Sequence, residues 1–192
     1  RMSKRLNVPR AQMHVVYPGV EIGGEPPAEL AFDPPVIGFL SRLNEAQGLG
    51  VLVEAFIQLK QEEGLKNLRL RATGGCTATD QPFLRSIQRK LRHYGFEGDV
   101  DFASDFHNAP RREFLRTLSV LSTPAPHGEA FGIQLIEAMA LGIPVAQPRT
   151  GAYPEILGAT GGGVLYDPAN PHGLCGALRS LLCYPETARA LG

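Results

Sequence analysis

Two carboxylates, Glu129 and Glu137, flank the start of a predicted helix in the segment "HGEAFGIQLIEAMALGIPVA", residues 127–146. Glu129 precedes the helix, whereas Glu137 lies within a run that is otherwise apolar. The first N–H groups of a helix have no partner inside it, and with the positive end of the helix dipole they suit a phosphate. Carboxylates accept hydrogen bonds from neighbouring hydroxyls. The pattern therefore fits a nucleoside diphosphate sugar, with ribose held at Glu137 and the transferred sugar at Glu129.

Simpler roles for both glutamates stay open at this point. Glu137 could form a buried ion pair, with Arg42 or Arg149 as its partner, because a buried carboxylate needs a counter-charge. Glu129 could be an acidic residue that only stabilises the helix start through the dipole.

A third charged residue follows the first apolar run of the chain. The stretch "VIGFLSRL" (36–43) predicts a core strand, and Arg42 comes at its end. Arginine is the side chain best suited to bidentate contact with phosphate. We therefore add Arg42 to the candidate site, with a surface arginine on a turn as the simpler alternative.

Apolar runs and helical periodicity alternate about six times from Val36 onward. This alternation predicts a Rossmann-like, doubly wound α/β fold with a mostly parallel sheet of about six strands and helices on both faces. In such sheets, ligands bind beyond the carboxyl ends of the strands. The loops to search are therefore 41–50, 73–80, 103–109, 123–133 and 148–154. The predicted strands are 36–43, 68–74, 99–104, 119–124, 143–148 and 162–167, and the predicted helices are 49–61, 81–95, 110–118, 133–141 and 171–184, with one helical turn at 151–157.

Composition excludes several classes of protein. The 192 residues carry 19 Lys and Arg against 19 Asp and Glu, so the net charge is zero. Without an excess of positive charge, nucleic acid is not expected as a partner. The chain has no apolar run long enough for a transmembrane helix, and its first residues, "RMSKRLNVPR", lack the apolar stretch of a signal peptide, so we expect neither. Its three cysteines match no zinc motif and predict reduced thiols, and hence a cytoplasmic location.

Five segments, in order, resemble family 4 of the retaining GT-B glycosyltransferases, also called glycosyl transferases group 1. Glu129-x7-Glu137 resembles the E-x7-E signature of that family. The other four are "YPGVEI" (17–22), "IGFLSRLNEAQGLGVLVEAF" (37–56), "GAYPEIL" (151–157) and "GGVLYDPANPHGLCGALRSLL" (162–182). They resemble the hinge segment, the G-R-L-x-x-x-K-G segment, the G-G-x-P-E segment and the closing strand and helix. The resemblance covers roughly residues 14–185 and implies the donor-binding, C-terminal half of a GT-B fold.

The resemblance implies a role for each matched position. Glu129 would contact the donor sugar near the reacting carbon, and Arg42 would neutralise the leaving diphosphate. The implied donor-binding residues are Gln47, Ser104, Phe106, Phe131, Gly132, Ile133 and Glu137. Transfer would keep the anomeric configuration, with no metal and no cofactor beyond the substrate, for which a UDP-sugar is expected.

Three positions depart from the family pattern. Gln47 stands where the family has lysine, and a lost charged hydrogen bond costs on the order of 1–3 kcal/mol. The usual pair of glycines is Gly151-Ala152, and Ser104 replaces a glycine at the nucleobase edge. The first departure weakens the expectation of efficient catalysis most directly.

The resemblance also implies a domain plan. Residues 1–35 would be a hinge or lead-in from a missing N-terminal acceptor domain, and residues 36–192 the nucleotide-sugar-binding domain. The unfinished helical pattern of "PETARALG" leads us to expect that this domain is truncated at its C-terminal end. The missing half leaves room for peripheral membrane contact. The alternatives are a nucleotide-sugar epimerase or hydrolase on a related fold, and a degenerate, non-catalytic binding domain.

Overall fold

The computed structural model describes residues 5, 7–14, 16–17, 19–20, 24, 26–103 and 108–192. Within these residues, six strands and six α-helices follow one another in the predicted order, with short 3-10 turns between some of them, and a seventh α-helix, outside the predicted set, follows the sixth. The strands are β1 (Val36–Leu40), β2 (Arg69–Thr73), β3 (Val100–Ala103), β4 (Val120–Leu121), β5 (Val145–Pro148) and β6 (Gly163–Tyr166). The helices are α1 (Leu49–Lys60), α2 (Gln81–His93), α3 (Asn108–Leu115), α4 (Ile133–Ala140), α5 (Tyr153–Thr160), α6 (Gly173–Leu182) and α7 (Pro185–Leu191).

The six strands form one parallel sheet in the order β3-β2-β1-β4-β5-β6. The chain first winds outward from β1 to β3, then crosses to β4 and winds the other way. The strand order therefore reverses between β1 and β4, which is where an open α/β sheet forms a crevice for ligands. The predicted doubly wound fold is confirmed.

Burial explains why β1 occupies the centre of the sheet. All five residues of β1 are buried, as expected for a strand covered by helices on both faces. Edge strand β3 instead alternates between half-buried and exposed residues. Helix α1 turns Leu49, Leu52 and Phe56 into the core, where all three are fully buried.

The element boundaries differ from the prediction where turns interrupt the pattern. The first strand ends at Leu40 instead of residue 43, because the chain bends at Ser41. The single helical turn expected at 151–157 is a full helix, α5, which begins next to Pro154 and ends at Gly161 in the left-handed conformation. Among the residues that the structure describes, every helix is too short or too polar to cross a lipid bilayer.

A close backbone contact joins the two loops on either side of the reversal. Gly48 precedes α1 with a φ of 83°, in the left-handed region that glycine tolerates. A Cβ at this position would overlap the carbonyl oxygen of Pro124, which lies in the loop after β4. The loop after β1 is therefore packed directly against the loop after β4.

Gly48→Ala is expected to lower the free energy of unfolding by about 2 kcal/mol. The left-handed backbone conformation is unfavourable for alanine, and the added Cβ would also displace the Pro124 carbonyl. Urea unfolding monitored by circular dichroism measures the loss. Gly64→Ala is the matched control, since a Cβ at Gly64 meets no atom within 4 Å and its φ is not positive. Equal stability of the two variants would contradict the packing described for Gly48.

Candidate functional site

The N-terminus of α4 lies at the carboxyl edge of the sheet and carries no side-chain cap. Its N-cap residue, Gly132, has a φ of 77° and is buried. A Cβ on Gly132 would lie 2.6 Å from Leu135 Cδ1 and 3.5 Å from Glu129 Oε2. Since a helix leaves its first N–H groups without intrahelical partners, this end of α4 presents backbone donors for an acceptor.

Glu129 is fixed beside this helix end by contacts to two neighbouring elements. Its Oε2 accepts a hydrogen bond from Gln134 Nε2 at 2.9 Å. Its carbonyl oxygen accepts a hydrogen bond from the Ala152 N–H at 3.0 Å, in the loop after β5. The carboxylate is half-buried, so one face is held by protein and the other can contact a ligand.

Tyr153 contacts the loop after β4 from the protein interior. The side chain is fully buried, and its hydroxyl donates to the Thr123 carbonyl oxygen at 3.0 Å. Burial first, and then the nearby charges of Glu129 and Tyr166, raise the pKa of Tyr153 well above its usual value. The phenol therefore stays protonated and keeps donating to Thr123.

Glu137 forms an ion pair with a residue that the sequence did not suggest. Glu137 Oε2 lies 2.5 Å from Arg111 Nη2, which belongs to α3. The expected partners, Arg42 and Arg149, were wrong, because the crossover from β3 to β4 places α3 beside α4. Both side chains are partly buried, with 29% of Glu137 and 19% of Arg111 exposed. Oε1 of Glu137 makes no hydrogen bond within the described residues.

Arg42 is held by the loop after β2. Its Nε donates to Asp80 Oδ2 at 2.9 Å and its Nη2 donates to Asp80 Oδ1 at 3.1 Å. Nη2 also donates to Thr77 Oγ1 at 2.9 Å. The Arg42 hydrogen bonds lower the pKa of the Asp80 carboxyl to about 2, with further contributions from the Thr77 hydroxyl and N–H. The Asp80 carboxyl is therefore ionised at neutral pH.

Gln47 occupies the turn between Arg42 and α1. Its Oε1 accepts from Ser41 Oγ at 3.1 Å, and its N–H donates to Asn44 Oδ1 at 3.0 Å. The residue is half-buried. The carboxamide thus stabilises its own turn.

The remaining predicted residues fall into two groups. Phe131 is half-buried and stacks on Tyr17 with ring centroids 6.3 Å apart, whereas 38% of Ile133 is exposed. Ser104 and Phe106 lie outside the described residues. Glu137 thus lies in α4, Gly132 caps its N-terminus, and Glu129 lies in the loop that leads into it.

A cleft of about 520 Å³ lies between the loops after β1, β2 and β4. Asn44, Glu45, Asp80, Phe83 and His127 are among the residues that line it. No group of three or more potential metal ligands occurs in the described part of the chain. The metal-free expectation remains a prediction.

Sequence reasoning missed four residues that hold the candidate site together: Thr77, Asp80, Arg111 and Gln134. The loop at 73–80 belongs to the predicted ligand edge, and an acidic residue directly before a helix was a usable signal for Asp80. Nothing in the pattern of α3 points to Arg111. Its contact depends on how two distant helices pack.

Comparison with solved structures places the fold among known glycosyltransferases. The C-terminal domain of a glycosyl transferase group 1 family protein, LpcC from Francisella tularensis, superposes with a TM-score of 0.74 at 23% identity, covering 90% of this chain and 92% of that one. HepE from Anabaena, crystallised in complex with UDP and glucose, superposes with a TM-score of 0.71 at 19% identity, covering 81% of this chain and 41% of that one. The fold is therefore the one seen in a Rossmann-like half of GT-B glycosyltransferases.

Sequence comparison gives longer relatives. The D-inositol 3-phosphate glycosyltransferase of Segniliparus rotundus is 28% identical over 94% of this chain, which spans 41% of that protein. The sucrose-phosphate synthase of Spinacia oleracea is 29% identical over 77% of this chain and 15% of its own length. The sequence profile of the family described as "Glycosyl transferases group 1" matches residues 26–192. The chain belongs to the glycosyl transferases group 1 family.

Proposed function

We propose that the chain is the donor-binding part of a retaining, family 4 glycosyltransferase. It would bind a nucleoside diphosphate sugar, with UDP as the nucleotide, and an acceptor-binding domain elsewhere in a longer, cytoplasmic protein would complete the enzyme. The observation that carries this proposal is the uncapped N-terminus of α4, at the carboxyl edge of the sheet, with Glu129 and Glu137 on either side. The complex of HepE with UDP and glucose is consistent with such a donor.

The proposed roles follow from what each group can donate or accept. The backbone N–H groups of Phe131, Gly132 and Ile133 would bind the diphosphate and the sugar. Glu129, held by Gln134, would accept a hydrogen bond from a hydroxyl of the transferred sugar. Oε1 of Glu137 would accept from the ribose hydroxyls, because Arg111 occupies only Oε2.

The chemical step would depend on electrostatics. Negative charge develops on the diphosphate as the sugar leaves, and fixed donors lower the barrier when they point at the site where that charge forms. Arg42 and the end of α4 would supply those donors. Incoming acceptor and departing diphosphate would share one face of the sugar, which retains the anomeric configuration. No metal or other cofactor would take part in this step.

The functional test is calorimetric titration of the chain with UDP, GDP and ADP, with and without magnesium. We expect binding of UDP in preference to the other two, independent of magnesium. Glu137→Gln should weaken UDP binding about tenfold or more, because a neutral amide is a weaker acceptor than a carboxylate for the hydrogen bonds of the ribose hydroxyls.

Glu62→Gln is the matched control for that variant. Glu62 also pairs with an arginine, Arg179, but at the contact between α1 and α6. Unchanged UDP binding by Glu137→Gln would show that the carboxylate serves only its ion pair. A folded chain that binds none of the three nucleotides would overturn the donor-site proposal.

The departure at Gln47 yields a separate prediction. Gln47→Lys should tighten UDP binding about tenfold, because it restores a charged donor beside Arg42. Calorimetry under the same conditions measures the change, and Gln58→Lys controls for the added charge, since Gln58 lies within α1 away from the loop. No change would mean that the side chain at position 47 does not reach the diphosphate, and would favour a binding domain without catalysis.

A further inference from the structure

We propose that Asp80 is the residue that positions Arg42 for the diphosphate of the donor. This inference rests on the donor site proposed above and extends it to a residue outside the signature segments. Asp80 would act through Arg42 and would not touch the substrate itself.

Asp80 and Arg42 form a bidentate ion pair, which we call the clamp. Asp80 uses both carboxylate oxygens to engage the Nε–Nη2 edge of the guanidinium, at 2.9 and 3.1 Å. Oδ2 also accepts from the Thr77 N–H at 2.8 Å and from the Thr77 hydroxyl at 2.7 Å. The carboxylate is thus fixed by its own loop before it holds the arginine.

The exposed fractions of the two side chains show that Asp80 is enclosed by the protein and that Arg42 faces solvent. The Asp80 side chain is 8% exposed, whereas the Arg42 side chain is 48% exposed. A long side chain at the surface samples many rotamers unless a partner holds it. The nearly buried carboxylate therefore sets the plane and direction of an otherwise mobile guanidinium.

The clamp also determines how Arg42 can bind phosphate. Nε and Nη2 are engaged by Asp80 and Thr77, while Nη1 makes no hydrogen bond within the described residues. Arg42 would therefore contact the diphosphate with the two N–H groups of Nη1. A fork contact through two nitrogens would require the clamp to open.

Asp80 has two opposing effects on a bound diphosphate. Its negative charge offsets that of Arg42, which weakens attraction, but water around the half-exposed guanidinium screens this effect. Its hydrogen bonds remove the cost of ordering Arg42 when the ligand arrives, which favours binding. We expect the second effect to be larger.

A double-mutant cycle on the intact chain tests the role of Asp80. UDP and inorganic pyrophosphate are titrated by calorimetry at neutral pH into the unaltered chain, Asp80→Ala, Arg42→Ala and the double variant. We expect Asp80→Ala to weaken binding of both ligands about tenfold when Arg42 is present, and less than twofold when Arg42 is absent.

Two further variants separate the positioning of Arg42 from a loss of folding and from a general loss of negative charge. Asp80→Asn keeps the volume and one acceptor oxygen for the Thr77 N–H, so it preserves the loop if Asp80→Ala does not fold, and it should also weaken binding. Glu97→Ala removes another carboxylate with paired hydrogen bonds, to Arg92 at 2.9 and 2.7 Å, before β3 at the amino edge of the sheet. It should leave UDP binding unchanged.

Each other outcome overturns the proposal in a recognisable way. Tighter binding by Asp80→Ala would show that the carboxylate competes with phosphate for Arg42. An equal loss with and without Arg42 would show a purely structural role for Asp80. If the unaltered chain binds UDP and the Asp80 variants bind it equally well, only the role of Asp80 fails. If the unaltered chain binds neither UDP nor pyrophosphate, the donor site fails and the role of Asp80 with it.

Discussion

The pairing of β1 with both β2 and β4 is the constraint on which the rest of the structure depends. Ile37 lies opposite Leu70 on one side and opposite Val120 on the other. Because β1 is buried on both faces, a shift of one residue would exchange the side chains packed on the two faces and bring a side chain where Gly38 lies against Leu118. This register fixes where the chain leaves the sheet, and therefore where Arg42 and the loop before α1 emerge beside the loop after β4.

The candidate site combines a rigid backbone with paired charges. Carbonyl oxygens of Thr123 and Glu129 accept from Tyr153 and Ala152, so the loops after β4 and β5 are fixed to one another. Three charged side chains near these loops each have a hydrogen-bonding partner in the protein. Arg42, Glu129 and Glu137 are each held by a partner from the protein: Asp80, Gln134 and Arg111 respectively.

Such pairing is a sign of preorganisation. Ordering a free arginine or glutamate when the ligand binds costs conformational entropy, and the partners reduce that cost in advance. Each partner takes only part of the hydrogen-bonding capacity, so Nη1 of Arg42 and Oε1 of Glu137 make no hydrogen bond among the described residues. With Gln47 bonded to Ser41 in its own turn, Arg42 carries the only fixed positive charge in the described part of the loop after β1.

The sequence by itself determined the fold class and the strand–helix order, because apolar periodicity and the glycines at helix ends are local signals. It also placed Glu129, Arg42 and Gly132 at the carboxyl edge, since position along a strand–helix unit decides which edge a loop joins. Element ends were predicted less accurately, as at β1, where the bend at Ser41 ends the strand early.

Only the tertiary structure decided the partners. Arg111 reaches Glu137 because a crossover brings α3 beside α4, and Asp80 reaches Arg42 because β2 pairs with β1. These contacts join residues 26 and 38 positions apart in the chain. The pattern of a single sequence carries no signal for such distances, since the packing of separate helices and strands decides which side chains meet.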